Sequence, residues 1–300
     1  MTVQMQQIPY GGWPRCIRLA NQNIELIATT DIGPRIIQLS FSGGPKLFKE
    51  FAEVGQTGGD EWRSYGGHRL WHAPEVMPRT YAPDNSPVEH RWDGASLELI
   101  QPTEKTAGIQ KTMKITLDAQ QNRVTVLHQL ANKNPWPVEL APWALTVMQG
   151  PGRAILPQEP PSKDLLPVRP AGFWGYTNMA DPRWKWGAKF IQLACDPAAK
   201  TPQKFGVGNK PGWAAYCRDG QVFIKRVAWD AAAVYPDFGC NIELYTNGDM
   251  LEVESLGPLT TLAPNATVEH LERWYLCKAK IGDTDAEIEA AINPLLRQCP

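Results

Sequence analysis

The densest group of chemically able side chains lies in residues 60–75, DEWRSYGGHRLWHAPE. His68 and His72 lie four residues apart there, and extended backbone would put them on one face about 13 Å apart, too far to share one metal ion. A helix would bring them together, but the Gly-Gly pair before His68 and the proline at Pro74 disfavour a helix. Three interpretations stay open, namely a metal site, hydrogen-bonded structural histidines, and substrate contact or acid/base catalysis.

Two later segments carry polar side chains at strand spacing. In residues 250–258 an extended chain places Glu252 and Glu254 on one face, about 7 Å apart along the strand. Upstream, Tyr245 shares a face with three polar residues, Asn241, Glu243 and Asn247. Spacing alone favours an ordinary solvated sheet face, and a concave binding surface stays open because a neutral polyol needs both hydrogen bonds and an apolar wall.

Other kinds of chemistry have little support. The sequence contains no Walker A segment, no Gly-x-Ser-x-Gly elbow and no His-Glu-x-x-His pair, and its six cysteines form no C-x-x-C pair. His128 lies on the apolar side of an alternating segment and is interpreted as a core or sheet histidine. His270 is expected at the surface, and His90 is expected to be a surface or packing residue. We therefore expect no resident metal and no cofactor.

The elements that must position these residues are mainly strands. Residues 23–30 and 35–41 alternate around an Asp-Ile-Gly-Pro turn, and residues 109–117 and 123–130 alternate around a second turn, so both pairs predict antiparallel hairpins. Only residues 283–298 predict a helix, with Asp283 as its cap. Strand signals recur every 10–15 residues or so through most of the chain.

Two long segments, residues 53–88 and 150–186, are rich in proline, glycine and aromatics, and they predict irregular loops that line or cover a site. With 27 prolines, 25 glycines and 43% hydrophobic residues, the 300-residue chain favours a large core and many turns. The predicted fold class is all-β, with long Pro/Trp-rich loops and a short C-terminal helix. We predict a single domain over residues 1–300, with its core at about 15–278.

The charge balance limits the partners. With 30 Lys+Arg against 31 Asp+Glu, the net charge is -1, which predicts no binding to nucleic acid or to an anionic membrane. No apolar run reaches the ~18 residues of a membrane span, and no secretory signal is visible at the N-terminus. These features predict a cytoplasmic protein, and they leave monomer and homodimer open.

The order of the motifs resembles the galactose mutarotase-like (aldose 1-epimerase) superfamily over about residues 15–278. The similarity rests on the early turn at 31–37, the histidine-bearing loop, Asn132-Lys133-Asn134 before Pro142-Trp143-Ala144-Leu145, and the late glutamate strand before Leu262-Ala263-Pro264-Asn265. It implies one large antiparallel β-supersandwich whose concave sheet binds a small-molecule sugar or oligosaccharide.

Enzymes of that family interconvert sugar anomers through the open-chain form. A carboxylate takes the proton of the anomeric hydroxyl while a histidine protonates the ring oxygen, and each group contributes about 10²–10⁴-fold. The resemblance implies Glu254 as the base, and His68 or His72 as the acid. It also implies sugar contacts from the early arginine and from residues around the other motifs, namely Arg35, Arg69, Trp71 and Trp143, to which the polar face adds Glu252 and Tyr245.

This sequence departs from the family at one position. Where the second histidine of the family is expected, it has Trp143, and an indole cannot donate a proton on the catalytic cycle. Three functions therefore stay open: an aldose 1-epimerase-like enzyme, a sugar-recognition domain without catalysis, and a polysaccharide lyase or hydrolase site on the same fold.

Overall fold

The computed structural model describes residues 2–163 and 165–300, which form 21 strands and two short helices. The first ten strands are β1 (Gln4–Tyr10), β2 (Trp13–Ala20), β3 (Ile24–Thr29), β4 (Arg35–Phe41), β5 (His68–Ala73), β6 (Glu89–Trp92), β7 (Ser96–Ile100), β8 (Ile109–Leu117), β9 (Arg123–Asn132) and β10 (Val138–Gln149).

The second half of the chain contains β11 (Gly152–Pro157), β12 (Ala171–Phe173), β13 (Trp184–Trp186), β14 (Phe190–Cys195), β15 (Gln203–Val207), β16 (Trp213–Arg218), β17 (Gln221–Val227), β18 (Ile242–Thr246), β19 (Met250–Leu256), β20 (Thr260–Leu262) and β21 (Thr267–Lys278). The helices are the single turn α1 (Pro236–Gly239) and the C-terminal α2 (Asp285–Gln298).

The strands form two antiparallel sheets that pack face to face. The larger sheet has eleven strands in the order β1-β2-β3-β4-β5-β10-β19-β18-β15-β12, with β20 paired to β10. The other has ten strands in the order β13-β14-β11-β16-β17-β21-β9-β8-β7-β6. This architecture confirms the predicted all-β supersandwich and both predicted hairpins, β3–β4 and β8–β9.

The main hydrophobic core lies between the sheets. It takes Leu39 and Leu70 from the larger sheet and Ile115, Leu130 and Trp274 from the smaller one, each at most 3% exposed. Along β8 and β9 every second residue is buried, and this is the period-two pattern that identified the hairpin.

Helix α2 covers the outer face of the smaller sheet. Ile288 and Ile292 are buried in a cluster that includes Ile224 of β17. The predicted cap was one residue early: the hydroxyl of Thr284, not Asp283, accepts the backbone N–H of Glu287, whose carboxylate accepts the N–H of Thr284 in return.

The central strands β5 and β19 are buried on both faces, because loops cover the side turned away from the core. The two segments predicted to be irregular contribute to this cover, but they also contain β5 and the strands β11, β12 and β13, so the prediction of loops throughout was wrong. Gly67 opens β5 at φ +68°, where a Cβ would lie 2.4 Å from the carbonyl oxygen of Ile36, so only glycine fits this approach to β4.

None of the helices formed by the described residues combines the length and the apolar character that a membrane crossing requires.

Candidate active site

The alternation of side chains along β5 decides which residues reach the site. Arg69 and Trp71 point away from the core and line a cleft on the loop-covered face of the larger sheet. Leu70 lies in the core between the sheets, and the period of two places His68 and His72 on that same side.

The cleft consists of two adjoining cavities of about 430 and 370 Å³. They share Glu75, Tyr81, Trp143 and Lys204. The larger cavity is further lined by residues that include Trp62, Arg69, Trp71, Tyr176, Tyr245, Asn247 and Glu252, and the smaller one by residues that include Val76, Met77, Trp174 and Asp237. Each volume lies in the range of small-molecule clefts, about 300–1,000 Å³.

A buried ion-pair cluster lies at the floor of the cleft. The Lys204 ammonium group donates to Glu254 at 3.0 Å and pairs with Glu243 at 2.8 Å, and the indole N–H of Trp143 donates to the same Glu254 oxygen at 2.8 Å. The two glutamates are directly opposite each other on β18 and β19. Gly206 on β15 faces Glu243, and a Cβ there would lie 2.8 Å from the Cys240 Sγ and 3.1 Å from the Glu243 Cγ, so its bare backbone leaves room for these two side chains.

Burial sets the protonation of this cluster. It raises the pKa of Glu243 well above its usual value, against the opposing attraction of Lys204. Burial alone would lower the pKa of Lys204, but Glu254 and Glu243 outweigh it and raise that pKa well above the ordinary lysine value. Lys204 is therefore a firmly held cation at neutral pH and a poor proton donor.

A second ion pair lies in the larger cavity. The Arg69 guanidinium is 3.0 Å from the Glu252 carboxylate, and its Cζ lies 4.4 Å from the ring centroid of Trp71 and 5.6 Å from that of Trp62. Burial raises the pKa of Glu252, with Arg69 opposing the shift. Of the residues that line both cavities, Tyr81 donates its hydroxyl to Glu75.

His68 lies on the far side of the sheet, in a hydrogen-bonded histidine pair. Its Nε2 is 2.7 Å from Nε2 of His128, whose Nδ1 is 3.0 Å from the carbonyl oxygen of His270. Burial lowers the pKa of both rings, so both are neutral at pH 7. The hydrogen-bond partners then determine which nitrogen of each ring carries the proton. His128 carries its proton on Nδ1, and His68 carries its proton on Nε2 and donates it to His128. His68 Nδ1 accepts a hydrogen bond from the Thr146 hydroxyl at 2.9 Å.

The network continues to a buried ion pair on the smaller sheet. Glu272 accepts from Lys225 at 2.8 Å and from the indole of Trp274 at 2.7 Å, while Ser255 links it to His270. One Glu272 oxygen and one ring nitrogen each of His68 and His128 lie within 4.8 Å of one another, a spacing that would also suit three metal ligands. Those nitrogens already share a proton, and Lys225 balances the carboxylate, so the contacts describe an ion-pair network.

His72 lies in a separate buried cluster, 3.4 Å from Glu104, whose other oxygen pairs with Lys111 at 2.5 Å. Burial lowers the pKa of His72. Neither His72 nor His68 shares a cavity with Glu254, which corrects the expectation that one of them faces this carboxylate across the site. The physical reason is the parity of β5, which puts both rings on the side of Leu70.

Arg35 also lies outside the cleft. It is fully buried, donates to Asp84 at 2.6 Å and to the carbonyl oxygen of Gly66 at 2.5 Å, and thereby ties β4 to two loops. The sugar contact expected of Arg35 is thus corrected to a structural ion pair. His128 is a buried sheet histidine and His90 is exposed, as predicted, whereas His270 is only 8% exposed, so its predicted surface position was wrong.

Five of the predicted residues come together in the cleft, namely Arg69, Trp71, Trp143, Tyr245 and Glu252. Glu254 lies beneath them, fully buried. Sequence reasoning missed Lys204 and Asp237, whereas Trp174 lies in the segment 150–186 that was predicted to line or cover a site. Lys204 lies on a short strand that contains a glycine, and Asp237 lies in an irregular turn, so neither segment carried a periodic signal.

The two packed antiparallel sheets with a loop-covered face define the fold of the galactose mutarotase-like proteins, and the resemblance seen in the sequence is confirmed at the level of the fold. No protein-family model matches the sequence, and no curated protein matches it.

Similar solved structures include a galactose mutarotase-like protein from Lactobacillus casei, with a TM-score of 0.60 and 10% identity over 87% of this chain and 100% of that chain. A galactose mutarotase related enzyme from Lactobacillus acidophilus has a TM-score of 0.56 and 10% identity over 90% and 98%. A TPR-domain containing protein from Parabacteroides distasonis has a TM-score of 0.60 and 13% identity over 94% of this chain but 54% of its own, so this chain spans about half its length.

Proposed function

We propose that the protein binds a carbohydrate in the cleft on the loop-covered face of its larger sheet. One observation carries the proposal: four tryptophans and three tyrosines line the same cleft as the polar groups of Arg69, Glu252, Lys204 and Asp237. Sugars present an apolar face of C–H groups and a rim of hydroxyls, and this combination of flat walls and charged hydrogen-bonding groups suits both.

The site is better suited to recognition than to the histidine-dependent reaction of the mutarotase family. None of the described residues lining either cavity is a histidine. The position expected for the second histidine holds Trp143, whose N–H is already donated to Glu254. The residues described as lining the cleft therefore provide no imidazole to protonate a sugar ring oxygen, as the family's reaction requires.

The test is a titration of the full-length protein with glucose, galactose, mannose and their disaccharides. Calorimetry and tryptophan fluorescence measure the binding. We expect saturable binding of at least one sugar, weakened roughly tenfold or more in Trp71→Ala, because buried aromatic contacts dominate such sites. Trp136→Phe is the matched control, since Trp136 is 59% exposed and lies outside the cleft. Absence of saturable binding across the panel would overturn the proposal.

A second function, aldose 1-epimerase activity, is favoured by the position of Glu254. Its carboxylate contacts two cleft-lining residues, and its Oε1 accepts no hydrogen bond from the described residues. As a base it would take the anomeric hydroxyl proton while the bond between C1 and the ring oxygen breaks, and the ring oxygen would take a proton from solvent.

Polarimetry of freshly dissolved α-glucose and α-galactose separates the two functions. Mutarotation faster than in buffer, lost in Glu254→Gln while sugar binding persists, would establish the enzyme. Binding without acceleration would establish recognition alone.

A further inference from the structure

We propose that the cleft takes an uncharged glycan of at least two sugar rings, one in each cavity, and discriminates against phosphorylated sugars. This inference rests on the proposed function and specifies its ligand. It follows from three features of the cleft, namely its division into two joined cavities, the separate aromatic and polar groups of each, and the pairing of its cations.

The two cavities are continuous. Trp143 and Lys204 line both, and the Lys204 ammonium group lies 4.6 Å from the ring centroids of Trp143 and of Trp174. Lys204 thus marks the boundary between the cavities, at about the place where two linked rings would meet. A ligand confined to one cavity would leave the other, of comparable volume, without an occupant.

Each cavity has its own wall and its own polar groups. The larger has Trp71 and Tyr245 beside the Arg69–Glu252 pair. The smaller has Trp174 beside Asp237. A stacking surface next to a hydrogen-bonding group is the minimum that one sugar ring requires, and the cleft provides this minimum twice.

Asp237 is held toward the smaller cavity by an unusual turn. Asp237 and Phe238 both have left-handed backbones, at φ 51° and 63°, a conformation that residues other than glycine rarely adopt. The Asp237 carboxylate forms no hydrogen bond with the other described residues, so its oxygens are free to accept hydroxyl groups of a ligand.

The charges in the cleft disfavour an anionic ligand. Both cations among the described residues that line the cleft are already paired, Arg69 with Glu252 at 3.0 Å and Lys204 with Glu243 and Glu254 at 2.8 and 3.0 Å. A phosphate group would meet only cations whose charge a carboxylate already balances, and it would approach the carboxylate of Asp237. Like charges repel, so this approach disfavours binding.

Calorimetry of the full-length protein with matched ligands tests this inference. The panel contains glucose, galactose and mannose, the disaccharides maltose, lactose and mannobiose, and the 6-phosphates of the three monosaccharides. We expect one disaccharide to bind about tenfold or more tightly than its own monosaccharide, and each 6-phosphate to bind more weakly than the neutral sugar.

Variants assign the rings to the cavities. Trp174→Ala should reduce the ratio of disaccharide to monosaccharide affinity toward one, whereas Tyr245→Ala should weaken both ligands and keep the ratio. The isosteric Asp237→Asn should weaken the discrimination against 6-phosphates, and unchanged far-UV circular dichroism checks that each variant folds.

The outcomes separate this inference from the proposed function. Equal affinity for monosaccharides and disaccharides, tighter binding of a 6-phosphate, or an unchanged ratio in Trp174→Ala would overturn the two-ring, uncharged ligand while sugar binding stands. Failure of every sugar to bind would overturn both.

Discussion

The indole N–H of Trp143 donates a hydrogen bond to the Glu254 carboxylate at 2.8 Å, from the neighbouring strand and at the floor of the cleft. The family resemblance leads one to expect a histidine at position 143. Tryptophan keeps a hydrogen-bond donor at this place but cannot pass its proton on, so it fixes the carboxylate instead of working with it. This single contact is the main reason why we place recognition before catalysis.

The first prediction concerns that contact. In Trp143→Phe, Glu254 keeps Lys204 but loses the indole donor, and a hydrogen bond to a buried charged group contributes about 1.5–3 kcal/mol. We expect the free energy of unfolding in urea to fall by at least that amount, since the smaller ring also leaves space. Trp136→Phe, at an exposed position, should stay within about 0.5 kcal/mol of the native chain. Equal effects of the two substitutions would contradict the proposed anchoring.

The second prediction concerns the glycine that opens β5. Gly67 and Gly43 have nearly the same positive φ, +68° and +69°, but a Cβ on Gly67 would lie 2.4 Å from the carbonyl oxygen of Ile36, whereas a Cβ on Gly43 would meet nothing within 4 Å. Gly43→Ala should cost about 1–2 kcal/mol from backbone strain alone. Gly67→Ala should cost about 1–3 kcal/mol more, from overpacking. Thermal and urea unfolding measure the difference, and similar losses at both sites would refute the steric argument.

Much of the fold could be predicted from local patterns. The strands β8 and β9 alternate strictly, because one face packs on the core and the other is partly exposed, and this hairpin was predicted correctly. Strand β5 is buried on both faces, so its sequence has no alternation of polarity, and it was hidden in a segment predicted to be a loop. Long-range packing decides which strands pair at the buried centre of the sheet, and no local sequence pattern contains that information.

The presence or absence of local alternation also explains why the site was predicted only in part. Glu252, Glu254 and Tyr245 were found because alternation along β18 and β19 puts them on one face. His68 and His72 were correctly placed on a common face, but the sequence could not say that this face is the core. Lys204 was missed, since the cluster it completes joins strands about 40 and 50 residues away along the chain.

The third prediction concerns pH. Burial lowers the pKa of His270 from 6.5 to about 3, with Glu272 opposing the shift. Between these two values the unfolded chain binds a proton that the folded chain does not, so this group makes the protein less stable as the pH falls below about 6.5. One such group contributes a slope of about 1.4 kcal/mol per pH unit near pH 5.

His270→Asn keeps a donor for Ser255 but removes the titrating ring. We expect the plot of unfolding free energy against pH, measured in urea between pH 4 and 6, to be flatter by about 1.4 kcal/mol per unit in this variant. The exposed His90→Asn is the matched control and should leave the slope as it is. A slope unchanged in His270→Asn would show that the ring titrates normally in the folded protein.

The last prediction tests the cluster at the floor of the cleft. Lys204 is the cation shared by Glu243 and Glu254, and its raised pKa means that its stabilising effect is fully present at any pH below its unfolded value of 10.5. Lys204→Met leaves two carboxyl groups facing each other without a cation. Breaking a buried pair in this way costs about 3–5 kcal/mol.

The cost should depend on pH in a definite direction. Without Lys204 the pKa of Glu243, already raised by burial, rises further, and a group whose folded pKa is raised stabilises the folded chain as the pH falls. The loss relative to the native chain should therefore be larger at pH 7.5 than at pH 5.5. Adding Glu254→Gln to Lys204→Met removes one of the two carboxyl groups that face each other. The double variant should therefore be more stable than the sum of the single effects predicts, by about 0.5–3 kcal/mol. Strict additivity in urea unfolding would show that Lys204 and Glu254 do not interact, because independent sites combine without a coupling energy.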